Sequence, residues 1–236
     1  VYIADQTDYV IRKVNTSGVI STVGGMAGGG YTGDGGPATA AKMKSVWGIA
    51  LDNAGNIFVS ESSNNVVRKI DTLGIITKVA GDTTGYSNWM WQGGYSGDGG
   101  PAISAQFHQP TGLVVDSIGR IYVSDNYGLV RKIDTTGIIT TFAGDTAGFT
   151  TPFWMGYNGD GIPANTAKLN YPFGLVIDAS GKIYIADGAN GRIRAVNPAG
   201  IISTIAGNGF GDGGSASFAT FSNIASIAAD ASGQVY

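Results

Sequence analysis

The stretch GYSGDGGPA, residues 94–102, concentrates residue types that do chemistry: an aspartate set among glycines, with a proline behind it. Glycine-rich turns can offer backbone N–H groups to a phosphate, and an aspartate can ligate a cation. The core of the stretch occurs four times, at 33–38, 97–102, 159–164 (GDGIPA) and 211–216 (GDGGSA). A phosphate loop also needs a long helix behind it and, as a rule, Lys-Ser/Thr after the glycines. No copy carries that pair, and four copies are too many for one nucleotide. A calcium loop of the EF-hand kind takes several oxygen ligands at alternate positions and a closing glutamate. Each copy offers one acid, so Asp34, Asp98, Asp160 and Asp212 are calcium candidates only if carbonyls or a neighbouring acid complete the shell. Otherwise no cofactor is expected. The simpler expectation is a tight turn whose glycines take left-handed angles. Proline then opens a short helix, as in PATAAKM (37–43) and PAISAQF (101–107), anchored by Met43, Phe107, Leu169 and Phe221.

Other catalytic types are scarce. His108 is the single histidine, in QFHQP ahead of a strand. One histidine cannot build a His-rich zinc site, and a loop histidine without a partner in the sequence reads as ordinary surface. Cysteine is absent, which removes disulfide and thiolate chemistry.

The elements that must position these residues are themselves repeated. IYVSD at Ile121 returns as VYIAD at Val1, IFVSE at Ile57 and IYIAD at Ile183, and a fifth copy begins at Val235. The starts are 56, 64, 62 and 52 residues apart. Within the period from Trp47, WGIALD (47–52), IFVSE (57–61), VVRKID (66–71) and IITKVAG (75–81) are four β-branched runs, here strands A to D. Asx-x-x-Gly turns separate A from B and C from D, the pattern of antiparallel hairpins. Sheets apolar on both faces must be buried against their neighbours, and radial stacking into a β-propeller does this; a linear β-solenoid is the alternative.

Charge follows the same period. Strand A ends in Asp52, Asp116, Asp178 and Asp230, and strand B in Asp5, Glu61, Asp125 and Asp187. Of the 17 acids only Asp8 falls outside a repeat column, and eight of the 14 bases lie on strand C. An active site happens once, so acids present in every copy read as turn caps and as partners of the strand C arginines, forming ion pairs between blades.

PTGLVVDSIGRIYVSDNYGLVRKIDTTGIITTFAG, residues 110–144, resembles an NHL repeat in its Pro-x-Gly entry, its Gly-x-hydrophobic-Tyr-hydrophobic-x-Asp centre and its hydrophobic-Arg-Lys-hydrophobic strand. With the inserted YSGDGGPA, the chain is similar to secreted bacterial NHL proteins and to the teneurin cell-surface family. The resemblance implies an all-β fold, an NHL-type β-propeller of four-stranded antiparallel blades. Residues 1–236 then form one segment of about four blades, with repeats near 1–46, 47–110, 111–172, 173–223 and a partial 224–236. Because the family's propellers usually have six blades, the expected whole is larger and the chain is part of a longer one.

Two inserts break the repeat. DTTGYSNWMWQGGY (82–95) and DTAGFTTPFWMGY (145–157) carry Tyr86, Trp89, Trp91, Tyr95, Phe149, Phe153, Trp154 and Tyr157, with three of the four tryptophans. Loop aromatics need burial against something. They either cover the protein's own surface or bind a protein or glycan, and these eight are the candidate binding residues. A net charge of −3 argues against nucleic acid, and no apolar run reaches the roughly 18 residues of a membrane helix. The reading is a non-enzymatic, extracellular or cell-surface interaction or structural module. The alternative is a propeller enzyme of the lyase or lactonase type acting at the central channel. Asn15, in Asn-Thr-Ser, matches a glycosylation acceptor.

Overall fold

In a computed structural model, residues 1–83, 95–147, 156–207, 215–230 and 234–236 are described. They form four antiparallel sheets, each resembling a propeller blade, and every helical piece is a three-residue 3₁₀ turn. The first sheet holds β1 (Tyr2–Asp5), β2 (Val10–Val14) and β3 (Ile20–Gly24). The second holds β4 (Val46–Leu51), β5 (Ile57–Glu61), β6 (Val66–Ile70) and β7 (Ile76–Ala80). The third is β8 (Pro110–Val115), β9 (Ile121–Asp125), β10 (Leu129–Ile133) and β11 (Ile139–Ala143). The fourth is β13 (Pro172–Ile177), β14 (Ile183–Asp187), β15 (Arg192–Val196) and β16 (Ile201–Ala206), with β12 (Ile162–Pro163) added beside β16. The four β-branched runs of the periods from Trp47, Pro110 and Pro172 are thus strands in sequence order, each paired with its neighbour, and the first sheet holds three. The chain divides into two compact units, Val1–Ile121 with Ile133–Ile139, and Tyr122–Lys132 with Thr140–Tyr236.

The Asx turns form as the residue types dictate. Asp52 Oδ1 accepts from the backbone N–H groups of Ala54 and Asn56, and Asp71 Oδ1 from those of Leu73 and Ile75. Asp178 does the same for Ser180 and Lys182. Each cap satisfies donors that the reversing chain would leave unpaired.

Within the first unit, strand A packs on its counterpart in the next repeat. A β-carbon on Gly48 of β4 would stand 2.5 Å from the Thr111 carbonyl oxygen of β8, which is why the strand A entry is Pro-x-Gly or Trp-Gly. Ser60 Oγ accepts from Gly48 N–H at 2.9 Å and donates to that same Thr111 carbonyl. In the second unit a β-carbon on Gly174 would meet Ser226 and Ile227 at 3.0 Å. The first two sheets share a core of Ile11, Met43, Val46, Val59, Ile70 and Ile76.

The recurring GDGGPA is a staple between repeats. Gly35 N–H donates to Ile76 O at 2.8 Å, Ile76 N–H to Gly36 O at 3.0 Å, and Ala38 N–H to Gly74 O at 2.7 Å. The segment therefore runs as an extra edge strand along strand D of the repeat it enters. At the same time Gly25 N–H, at the end of the preceding repeat's strand D, donates to Ala38 O at 2.9 Å. Gly81 to Ala102 and Gly144 to Ala164 repeat that bond at 3.0 and 2.9 Å. Covering an exposed strand edge also removes a template for aggregation.

Three expectations change. The helix after the proline is a single 3₁₀ turn, Ala38–Ala40 or Ala102–Ser104, and Pro37 precedes it in extended geometry (φ −59, ψ 127). The proline is consumed by the edge strand, where its missing N–H does no harm. Met43, Phe107 and Leu169 are buried anchors, but Phe221 is 36% exposed. His108 is buried at 8% exposure, not surface.

Candidate functional site

The most highly charged arrangement in the second repeat centres on Arg68. Strand C alternates, so Arg68 points inward while Lys69 is left partly exposed. The Arg68 guanidinium is fully buried. Nε donates to Asp34 Oδ1 at 2.9 Å and Nη1 to Glu61 Oε1 at 3.2 Å. Nη1 also reaches Lys42 O at 3.1 Å, and Nη2 reaches Thr32 O at 2.9 Å. The Tyr31 ring lies 5.1 Å from the guanidinium carbon, and its hydroxyl donates to Asp34 Oδ2 at 2.5 Å. Glu61 Oε2 accepts from Asn64 Nδ2 and from Lys44 N–H. Burial holds the Glu61 carboxyl above its ordinary range despite Arg68, and burial plus the Asp34 carboxylate push the Tyr31 hydroxyl up.

The fourth repeat builds the same cluster independently. Arg194, again fully buried, donates to Asp160 Oδ1 at 2.9 Å and to Gly159 O at 2.8 Å, and faces Asp187 at 3.6 Å. Tyr157 donates to Asp160 Oδ2 at 3.0 Å, with Arg192 and Arg194 over its ring at 4.1 and 4.9 Å. Asp187 accepts from Asn170 N–H at 2.7 Å and Asn190 Nδ2 at 2.8 Å. Burial drives its pKa up to about 6, against the opposing pull of those donors and of Arg194. The first repeat keeps the acid and the arginine, but there Arg12, Asp5 and Asp8 are partly exposed. Asp5 is held below its usual value by the Asp8 N–H and by Arg12.

These clusters decide the fate of the recurring aspartates. Both Asp34 oxygens and both Asp160 oxygens are engaged by a guanidinium and a tyrosine hydroxyl. A cation would face a buried arginine there, so these residues do not fit calcium. Asp98 accepts from Tyr95 at 2.8 Å, and Asp212 lies outside the described residues. Among the described residues no three His, Asp or Glu side chains gather as a metal site. Of the ion pairs expected between blades, those of Asp34 and Asp160 cross from one repeat to the next through the connecting loop, while those of Glu61 and Asp187 join strands B and C of one sheet.

Tyr86, Trp89, Trp91, Phe149, Phe153 and Trp154 lie outside the described residues. Tyr95 and Tyr157 are described, and each donates to the aspartate three residues on. Tyr31 stands in the same column, so Tyr-x-Gly-Asp at 31–34, 95–98 and 157–160 is a repeated device that sequence reasoning missed. Asn15 is exposed, with its amide oxygen accepting from Ser17 and Val19 N–H. Where the second insert rejoins the fold, Asn190 Nδ2 donates to Gly156 O at 2.6 Å, as Asn64 does to Gly30 O at 2.9 Å. Burial lowers the pKa of His108, favouring neutral imidazole.

Successive antiparallel sheets of three to five strands, stapled by a glycine-rich crossover that also carries an aspartate to a buried arginine of the next sheet, define a β-repeat protein. The teneurin NHL domain family matches residues 90–152 and 146–210, and the chain belongs to that family. Mouse Teneurin-4 is 26% identical over 215 residues, which cover 83% of this chain and 7% of that protein's length. Among solved structures, a chain of a nidogen/laminin complex aligns over 96% of this chain and 60% of its own, with TM-score 0.59 and 17% identity. A gluconolactonase from Xanthomonas campestris aligns over 99% and 64%, with TM-score 0.59 and 15% identity. At these identities both likenesses concern the fold alone. No helix among the described residues is long and apolar enough to cross a membrane.

Proposed function

We propose that the chain is a non-enzymatic interaction module of an extracellular or cell-surface protein, and that it binds a protein or glycan through the two inserts. Residues 1–236 act as one segment of a larger, six-bladed propeller. The observation that carries this reading is the division of labour between residue types. The buried charged groups of the second and fourth repeats are consumed within repeated clusters, while the aromatic inserts escape the repeat. Tyr86, Trp89, Trp91, Phe149, Phe153 and Trp154 supply contact area, with Tyr95 and Tyr157 at the points where each insert rejoins the fold. The extracellular setting rests on the likeness to teneurins, and Asn15 is its glycan acceptor.

The test is a binding screen of the intact chain against arrayed neutral and sialylated glycans and purified extracellular-matrix proteins. Trp89→Ala, Trp91→Ala and Trp154→Ala variants are run in parallel. Binding that is lost at least tenfold in the variants supports the reading. Binding unchanged in all three contradicts it, as does turnover of lactone substrates by the wild type.

A further inference from the structure

Two carboxylates share one buried guanidinium in the second repeat, and the arrangement recurs in the fourth. Asp34 and Glu61 converge on Arg68; Asp160 and Asp187 converge on Arg194. In each, the loop aspartate is about one-third exposed (33% and 37%) and the strand B acid is fully buried. The solvated member can remain ionised at little cost, whereas the buried one cannot do so with only half a counter-charge. We propose that Glu61 and Asp187 are proton-binding sites built into the repeats, each carboxyl filling with a proton as solution becomes mildly acidic.

The other groups near each acid do not alter this balance. Around Glu61 stand Arg68 from β6 and Asp34 and Tyr31 from the entering loop. Tyr31 is neutral, and the Lys44 contact to Glu61 is through its backbone N–H. Around Asp187 stand Arg194 from β15 and, beyond it, Asp160 and Tyr157 from the entering loop. Arg192, the ladder partner of Asp187, turns its guanidinium to Asn190 O and the Tyr157 ring. The longer ion pair, 3.6 Å in place of 3.2 Å, leaves Asp187 the less compensated of the two. Its pKa of about 6 and the upward shift of Glu61 follow from the same geometry. The first repeat is an internal control: Asp5 and Asp8 also share one arginine, but in solvent, and Asp5 shifts down. The third repeat carries the same residue types in Asp98, Asp125 and Arg131.

The sign follows from linkage. An acid with a raised folded-state pKa adds stability that is fully present below its unfolded pKa and lost as pH rises through the folded one. For Asp187 that window runs from about 4 to about 6. The test is a side-chain carboxyl ¹³C titration of the wild-type chain by NMR between pH 3 and 8. The expected result is an Asp187 midpoint near 6, a raised Glu61 midpoint and an Asp5 midpoint below 3.8. Asp187 and Glu61 both titrating at or below their ordinary values would overturn the proposal. No substitution is needed, so misfolding cannot mask either outcome.

Discussion

Replacing Arg68 with methionine keeps most of the side chain's volume and removes its charge and all its donors. Four hydrogen bonds go, to Asp34, Glu61, Lys42 O and Thr32 O, together with the charge over the Tyr31 ring. Asp34 is partly exposed and is resolvated, but Glu61 has no route to water. Removing one member of a buried pair typically costs about 3–5 kcal/mol, chiefly from the stranded charge. The orphaned Lys42 and Thr32 carbonyls add about 1 kcal/mol each if they stay dry, so the expected loss is roughly 5 kcal/mol at pH 8. In the variant the Glu61 pKa climbs further above its unfolded value. The loss should therefore shrink by about 1.4 kcal/mol for each unit by which solution pH falls through the altered window. Urea unfolding followed by far-UV circular dichroism at pH 5 and pH 8 measures this. Adding Glu61→Gln to Arg68→Met should recover about 2–3 kcal/mol at pH 8 and much less at pH 5. A loss below about 1 kcal/mol, or one equal at both pH values, would refute the claim that Arg68 compensates a buried carboxylate.

Three further outcomes follow from the same geometry. Gly48→Ala sets a methyl 2.5 Å from Thr111 O and 2.9 Å from Ser60 Oγ and should cost about 1–3 kcal/mol by overpacking, read from urea curves. Tyr157→Phe loses the hydroxyl bond to Asp160 but keeps the ring beneath Arg192. It should cost about 1 kcal/mol, whereas Tyr157→Ala should cost more in thermal unfolding. Desolvation is the largest single influence on Asp52 and Asp178 and pushes both carboxyls up, but their side-chain and backbone turn donors together hold them below the ordinary value. Stability from these caps is present above about pH 4 and lost as pH falls through their lowered values, and Asp52→Ala should flatten that acid limb in an unfolding series.

Much of the fold is written in short-range signals. Ile57–Glu61 coincides with IFVSE as read from the sequence, because a β-branched and aromatic run leaving an Asx-x-x-Gly turn favours a strand. The caps of Asp52, Asp71 and Asp178 are equally local. The edge strand made by Gly35, Gly36 and Pro37 was not legible, since its partner, Ile76, is set by how the crossover lies on the sheet. Nor was the membership of the Arg68 cluster. Asp34 and Glu61 stand 34 and 7 residues from Arg68, and repeat columns reveal that they recur but not which of them meet. The Tyr-x-Gly-Asp column was present in plain letters, but Tyr95 and Tyr157 read as part of the aromatic inserts because Tyr31 has no such insert beside it. His108 reads as an exposed loop residue, yet in that loop it is buried.

The central claim is that repeated charges build the scaffold and the inserts carry recognition. The most direct test replaces residues 84–94 and 148–155 with short Gly-Ser linkers. Affinity for a ligand found in the glycan and matrix-protein screen is then measured by calorimetry, with a thermal melt of the same sample. The account predicts a melt within a few degrees of the wild type and binding weakened at least a hundredfold. Undiminished binding by the shortened, folded chain would contradict it and move recognition onto the repeated surface.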